Sequence, residues 1–172
     1  MKGIWVLVLG LMLSGGGCTA FYQPAPSTLD GAYYEQIRDW QDRVRQEGWT
    51  RNLLDDVVKG CLRLAKYRLE KDDHWDTPRE FMEKGFQGDC EDIAVFILAT
   101  LKRLGYEKPV RVMAVKTLMG DHALVKVALP RGDWKTYETV PVPLGEVDRL
   151  FYRPIVEFDE ERILYYEKKR SS

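Results

Sequence analysis

"GFQGDCEDIAVFILATLKRLG", Gly85 to Gly105, sets a thiol between acids at the head of an apolar run. Ile93, Ala94, Phe96, Ile97, Leu98, Leu101 and Leu104 leave few polar positions, which predicts a central helix buried on most sides. Asp89 suits its N-cap, so Cys90 falls at the first helical position and Asp92 at the third. Gly105 suits the left-handed residue after its end. Asp89 and Asp92 then have a structural task, capping the helix and complementing its dipole, with side chains that need not point at the sulfur. Exposed amides at a helix start favour a thiolate. A nucleophilic thiolate also wants a cationic partner, and the run itself does not supply one.

Upstream, "TPRE" at Thr77 to Glu80 is a capping box with proline at the first helical position, opening a short helix that ends before Gly85. Leu53 to Leu69 reads as a longer helix with Leu54, Val57, Val58, Cys61, Leu64 and Ala65 on its apolar face, which makes Cys61 a small buried hydrophobe. Before it, Ser27 or Thr28 caps a helix running to about Glu47, with Tyr34, Ile37, Trp40, Gln41 and Val44 along one stripe and Gly48 as its stop. Downstream the pattern changes to period two. Val110 to Leu118, His122 to Leu129 and Lys135 to Val140 read as strands, and the short links between them predict antiparallel neighbours. "FYRPIVEF" and "RILYYE" add one or two late strands. Helices first and an antiparallel sheet after them is an α+β arrangement.

The 172 residues suffice for one domain plus a leader, and 31% charged with 45% hydrophobic residues is a globular rather than a disordered composition. Lys and Arg number 26 against 27 acids, so the net charge of −1 gives no electrostatic case for nucleic acid as a partner. There is no zinc-ligand spacing and no Gly-rich phosphate loop.

Only two histidines exist, His74 and His122. His122 opens a strand after a "GD" turn, and alternation sets it with Leu124, Lys126 and Ala128 on the face opposite Ala123, Val125, Val127 and Leu129. A helix start packed near the start of this strand would bring Cys90 to His122, a pair that makes a thiolate–imidazolium nucleophile for acyl transfer. A third polar group would hold the imidazole. Glu138, on the next strand, has the best spacing; Asp133 and Asp121 are weaker candidates. The plainer alternatives are a surface histidine and an ordinary strand carboxylate.

The N-terminus "MKGIWVLVLGLMLSGGGCTA" has one early lysine, an apolar core of signal-peptide length, small residues and then Cys18. It resembles a bacterial lipoprotein leader, although glycine rather than leucine stands three residues before the cysteine. The expected organisation is a signal peptide over 1–17, a lipidated N-terminus and Pro-containing tether over 18–27 with Cys18 as the lipidation site, and the domain over 28–172. The location implied is the cell envelope, facing the periplasm, lipid-anchored and at the outer membrane. In that oxidising compartment Cys61 and Cys90 could pair or both stay free.

Trp75, "TPREF", "GDCED" and the His122–Ala123 dipeptide, in this order and spacing, resemble the bacterial transglutaminase-like cysteine peptidases, which include periplasmic proteases that clip surface adhesins. The likeness runs from about Asp73 to Val140. It implies a papain-like, transglutaminase-like core with N-terminal helices and a central buried helix packed on an antiparallel sheet. It also implies Cys90 as nucleophile, His122 as general base and then acid, and Glu138 as the residue orienting the imidazole. The family has Asp followed by Asn where this chain has Glu138 and Thr139. An oxyanion hole would use the Cys90 backbone amide, with Gln87 a candidate second donor. Trp75 would line the cleft or staple its helix to the core.

Some relatives bind calcium beside the cysteine, which makes Asp89, Glu91 and Asp92 candidate ligands, although capping already accounts for two of them; the acyl-transfer chemistry itself requires no cofactor. The expected function is an envelope cysteine peptidase acting on a periplasmic or surface protein through a thioester. The alternatives are a non-catalytic envelope lipoprotein using the fold as a protein-binding module, and a transglutaminase-type acyl transferase.

Overall fold

The computed structural model describes residues 31–70, 74–118, 120–140 and 152–166. The expected signal peptide, Cys18, the tether and the helix cap at Ser27 or Thr28 lie outside them.

Helix α1 (Gly31–Glu47) buries Tyr33, Ile37 and Trp40. Its inward stripe includes Tyr33, one residue before the expected Tyr34, and the Tyr33 hydroxyl meets Thr100 Oγ1 at 3.2 Å inside the core. Gly48, with φ of +67°, stops it as expected. Helix α2 (Arg51–Leu64) is capped by Thr50, whose hydroxyl oxygen accepts the Leu53 N–H at 3.1 Å. Gly60 lets the two helices close on each other, since a Cβ there would stand 2.2 Å from Trp40 Cζ2.

Helix α2 ends at Leu64 and not at Leu69. Ala65 turns to extended backbone. Strand β1 (Lys66–Tyr67) pairs in parallel with β2 (Gln87–Gly88). The Lys66 N–H donates to Phe86 O at 2.7 Å and the Arg68 N–H to Gly88 O at 2.8 Å. Local helix propensity yields here to a pairing with residues about twenty positions away, which no periodicity within the segment encodes.

Helix α3 (Pro78–Glu83) opens on the expected capping box. The Glu80 N–H donates to Thr77 Oγ1 at 3.3 Å and the Thr77 N–H to Glu80 Oε2 at 2.8 Å. Helix α4 (Cys90–Arg103) is the central helix, burying Ile93, Ala94, Phe96, Ile97, Ala99, Thr100 and Leu101. Trp75 packs against the core with its ring 5.4 Å from Phe158.

The main sheet has the order β5-β4-β3-β6-β7, and every neighbouring pair in it is antiparallel. Its strands are β3 (Val110–Thr117), β4 (Gly120–Ala128), β5 (Trp134–Tyr137), β6 (Arg153–Phe158) and β7 (Ile163–Tyr165). Val110, Val112, Ala123, Val125 and Val127 join Ile93, Phe96 and Ile97 of α4 in one core, so the predicted alternation of β4 holds. Strand β5 stops at Tyr137 rather than Val140. Glu138 therefore lies just beyond it.

Candidate active site

The start of α4 is built from backbone amides and buried carboxylates. Asp89 is its N-cap with extended backbone. Asp92 reaches back, its Oδ2 accepting the Asp89 N–H at 3.2 Å and its Oδ1 the Asp76 N–H at 2.7 Å. It thereby ties the helix start to the segment before α3. Gly88 makes room for this, because a Cβ there would stand 2.3 Å from Asp92 Oδ2. Burial pushes the Asp92 carboxyl up to about 6, against the pull of the two amides. Asp89 is pushed up to about 7, first by burial and then by Glu91. Its Oδ1 is buried and accepts no hydrogen bond among the described residues.

Cys90 is 8% exposed, and its thiol donates to Glu91 Oε2 at 3.2 Å. The expectation that helix-start acids leave the sulfur alone holds for the capping carboxylate of Asp92. Glu91, of which no capping role is expected, turns onto the neighbouring thiol. Burial first, and then the Glu91 carboxylate, push the thiol up to about 12, while the backbone amide of Ala123 pulls the other way. Burial and Glu91 thus favour the protonated thiol, against the amide of the strand residue that follows His122. Cys61 is buried and pushed up to about 12 by that burial, and both cysteines are free.

His122, buried at the start of β4, has Nε2 3.0 Å from Glu138 Oε2. An ionised carboxylate only accepts, so with this partner Nε2 carries a ring proton. Two further residues complete the arrangement. The Tyr152 hydroxyl donates to Glu138 Oε1 at 3.0 Å. The buried Thr139 hydroxyl donates to Ala123 O at 2.6 Å, tying the chain beyond β5 to β4. Neither residue belongs to the motifs that point to Cys90 and His122. The only signal for Tyr152 is its place before a late strand. Asp121 and Asp133 are exposed, and Gln87 sits half-buried on β2.

Two acidic clusters flank the site. One ligand atom from each of Asp89, Cys90 and Glu91 lies within 4.8 Å of the others, and the same holds for Glu70, Asp76 and Asp92. Lys84 sits on the second group, 2.8 Å from Asp76 Oδ1 and 3.2 Å from Glu70 Oε1, and these carboxylates hold its ammonium well above the usual lysine range. Lys84 offsets part of the negative charge there.

The sequence matches no family model and no curated protein. Solved structures do match. Calcium-bound LapG of Legionella pneumophila superposes with a TM-score of 0.63 at 20% identity, over 90% of this chain and 89% of that one. The fold resembles that of LapG. EGTA-treated LapG gives 0.64 at 19% identity, over 90% and 84%. A candidate cysteine protease from Cytophaga hutchinsonii gives 0.54 at 14% identity, over 86% of this chain and 49% of that one. The α+β architecture of helices packed on an antiparallel sheet, expected from the sequence, is thus one that LapG shares over nearly its whole length.

Proposed function

We propose that this chain is a cell-envelope cysteine peptidase, with Cys90 as nucleophile, His122 as base and then acid, and Glu138 as the group that orients the imidazole. The observation that carries the reading is the 3.0 Å contact from His122 Nε2 to Glu138 Oε2, on the strand residue next to the one whose amide favours the Cys90 anion. His122 Nδ1 takes the thiol proton. The thiolate attacks a substrate amide carbonyl, and the imidazolium protonates the leaving amine. Water then resolves the thioester; an acceptor amine in its place would make the protein an acyl transferase. The Cys90 backbone amide, at the first position of α4, is a donor for the oxyanion. The substrate is a periplasmic or membrane-emergent protein segment, and acylated Cys18 would hold the enzyme at the membrane with no nucleic-acid partner.

LapG has been solved with calcium bound. Here Asp89 and Glu91 fit a hard cation: their carboxylates converge, and Asp89 keeps a buried oxygen without a hydrogen-bond donor. Asp92 fits less well, since both its oxygens serve amides. A bound cation would supply positive charge that draws Glu91 off the thiol.

The second reading, a non-catalytic binding module, is favoured by one observation, the thiol raised by burial and Glu91. The rate of iodoacetamide labelling of Cys90 against pH, in wild type and His122→Ala, separates the two, with Cys61 resolved by mass spectrometry. Labelling below the free-thiol range of about 8.5, slowed by His122→Ala, supports the peptidase. Labelling indifferent to His122 overturns it.

A further inference from the structure

The third residue of the site raises a geometric question. Glutamate is one methylene longer than aspartate and has an extra torsion, so its carboxylate can leave the imidazole more easily. A positioned carboxylate needs its second oxygen held as well.

That second oxygen is held here from the far side of the sheet. His122 on β4 is in register with Val115 on β3, and Val115 with Pro154 on β6. Glu138 follows β5, the neighbour of β4 on the other flank. Tyr152 immediately precedes β6, and its ring centroid stands 6.3 Å from that of His122. Its hydroxyl thus spans β6 to β5 past the imidazole and donates to Glu138 Oε1, leaving Oε2 for Nε2.

We infer that Tyr152 is a positioning residue of the active site, locking Glu138 in the rotamer that orients His122 and so extending the Cys–His–Glu set by a fourth member. Its role as a positioning residue for catalysis rests on the peptidase reading; the coupling itself does not. The phenol touches no reacting atom. It acts by denying the carboxylate its alternative orientations and by supplying a half-buried donor to its outer oxygen, a charge-assisted hydrogen bond. The longer glutamate and the tyrosine are therefore one device: the first needs the second.

The test is the titration of the His122 ring, followed by NMR in Tyr152→Phe, Glu138→Gln and the double variant, with His74 as the internal reference for an intact fold. Loss of the Glu138 charge is expected to lower the His122 pKa, and the size of that fall sets the scale of the coupling. Tyr152→Phe keeps the ring and is expected to lower it by about a third to two thirds of that amount, with Cys90 labelling near pH 6.5 slowed roughly threefold to tenfold. In the Glu138→Gln background Tyr152→Phe should change nothing further, because the tyrosine acts only through the carboxylate. A merely structural tyrosine would lower stability equally in both backgrounds and leave the His122 titration in place, and that result overturns the inference. So does a rise in the His122 pKa in Tyr152→Phe, which would mean that the phenol only drains charge from a carboxylate held by something else. If the coupling is found while Cys90 labelling ignores His122, the peptidase reading fails and the Tyr152–Glu138–His122 coupling stands. If the thiol is activated without the coupling, only the role of Tyr152 fails.

Discussion

Replacing Gly88 by alanine should cost stability although the backbone there is one that alanine adopts, since Gly88 is not among the glycines with positive φ. The added Cβ would stand 2.3 Å from Asp92 Oδ2 and 2.9 Å from Asp92 Cβ. The carboxylate must retreat by about 0.7 Å merely to reach 3.0 Å, the closest approach real Cβ atoms make. Its bond from the Asp89 N–H, already 3.2 Å, then fails, and the 2.7 Å bond from the Asp76 N–H is strained. A hydrogen bond to a buried charged group contributes about 1.5–3 kcal/mol, while the reduced freedom of the unfolded chain returns about 0.4–1 kcal/mol. The net loss expected is about 0.5–2.6 kcal/mol, a fall in melting temperature of roughly 1–10 °C for a chain of this size. Urea unfolding reads the loss, and Cys90 labelling reads whether the helix start has moved with Asp92. Equal or higher stability in Gly88→Ala would refute the account of the helix start as a close-packed amide–carboxylate joint.

Glu91→Gln removes the charge that accepts from the thiol, so the Cys90 titration should fall by about one to two units and labelling near pH 7.5 should quicken about tenfold or more; an unchanged rate would show that burial alone raises the thiol. Asp89 titrates near 7 in the folded chain against 3.8 for an ordinary aspartate, so the folded state holds the extra proton and stability falls as pH rises between the two. Asp89→Asn lacks that loss and should gain roughly 1–3 kcal/mol relative to wild type between pH 5 and 8, after allowance for solvent screening; a pH-independent difference would contradict it. Calcium at about a hundred times its dissociation constant should stabilise the wild type by about 2.7 kcal/mol in thermal unfolding, reversed by EGTA and absent in Asp89→Asn; an equal shift in that variant would move the site elsewhere.

Much of this architecture is legible in the sequence because it is encoded locally. The N-cap at Asp89, the capping box at Thr77, the stop at Gly48 and the alternation of β4 each depend on residues within a turn or a strand of one another. The β1–β2 pair is not, since Lys66 finds its partners near Gln87 only once the helices have packed. The His122–Glu138 contact follows from strand adjacency, which the short β4–β5 link predicts. Tyr152 comes to the same carboxylate through β6 on the other side of β3, a neighbour relation that sequence order does not carry. The turn of Glu91 onto the thiol is not legible, because a helix start dictates where amides point, not where a long acidic side chain folds back.

The main chain of Ala123 bears on both halves of the site: its amide favours the Cys90 anion and its carbonyl takes the Thr139 hydroxyl. Ala123 itself is almost wholly enclosed, with a methyl group as its side chain. An alanine scan would pass over the position in silence, and bulkier residues would report only crowding. A main-chain amide-to-ester replacement at residue 123 would delete the N–H while sparing every side chain. The thiol would then lose the one neighbour on this strand backbone that favours its anion.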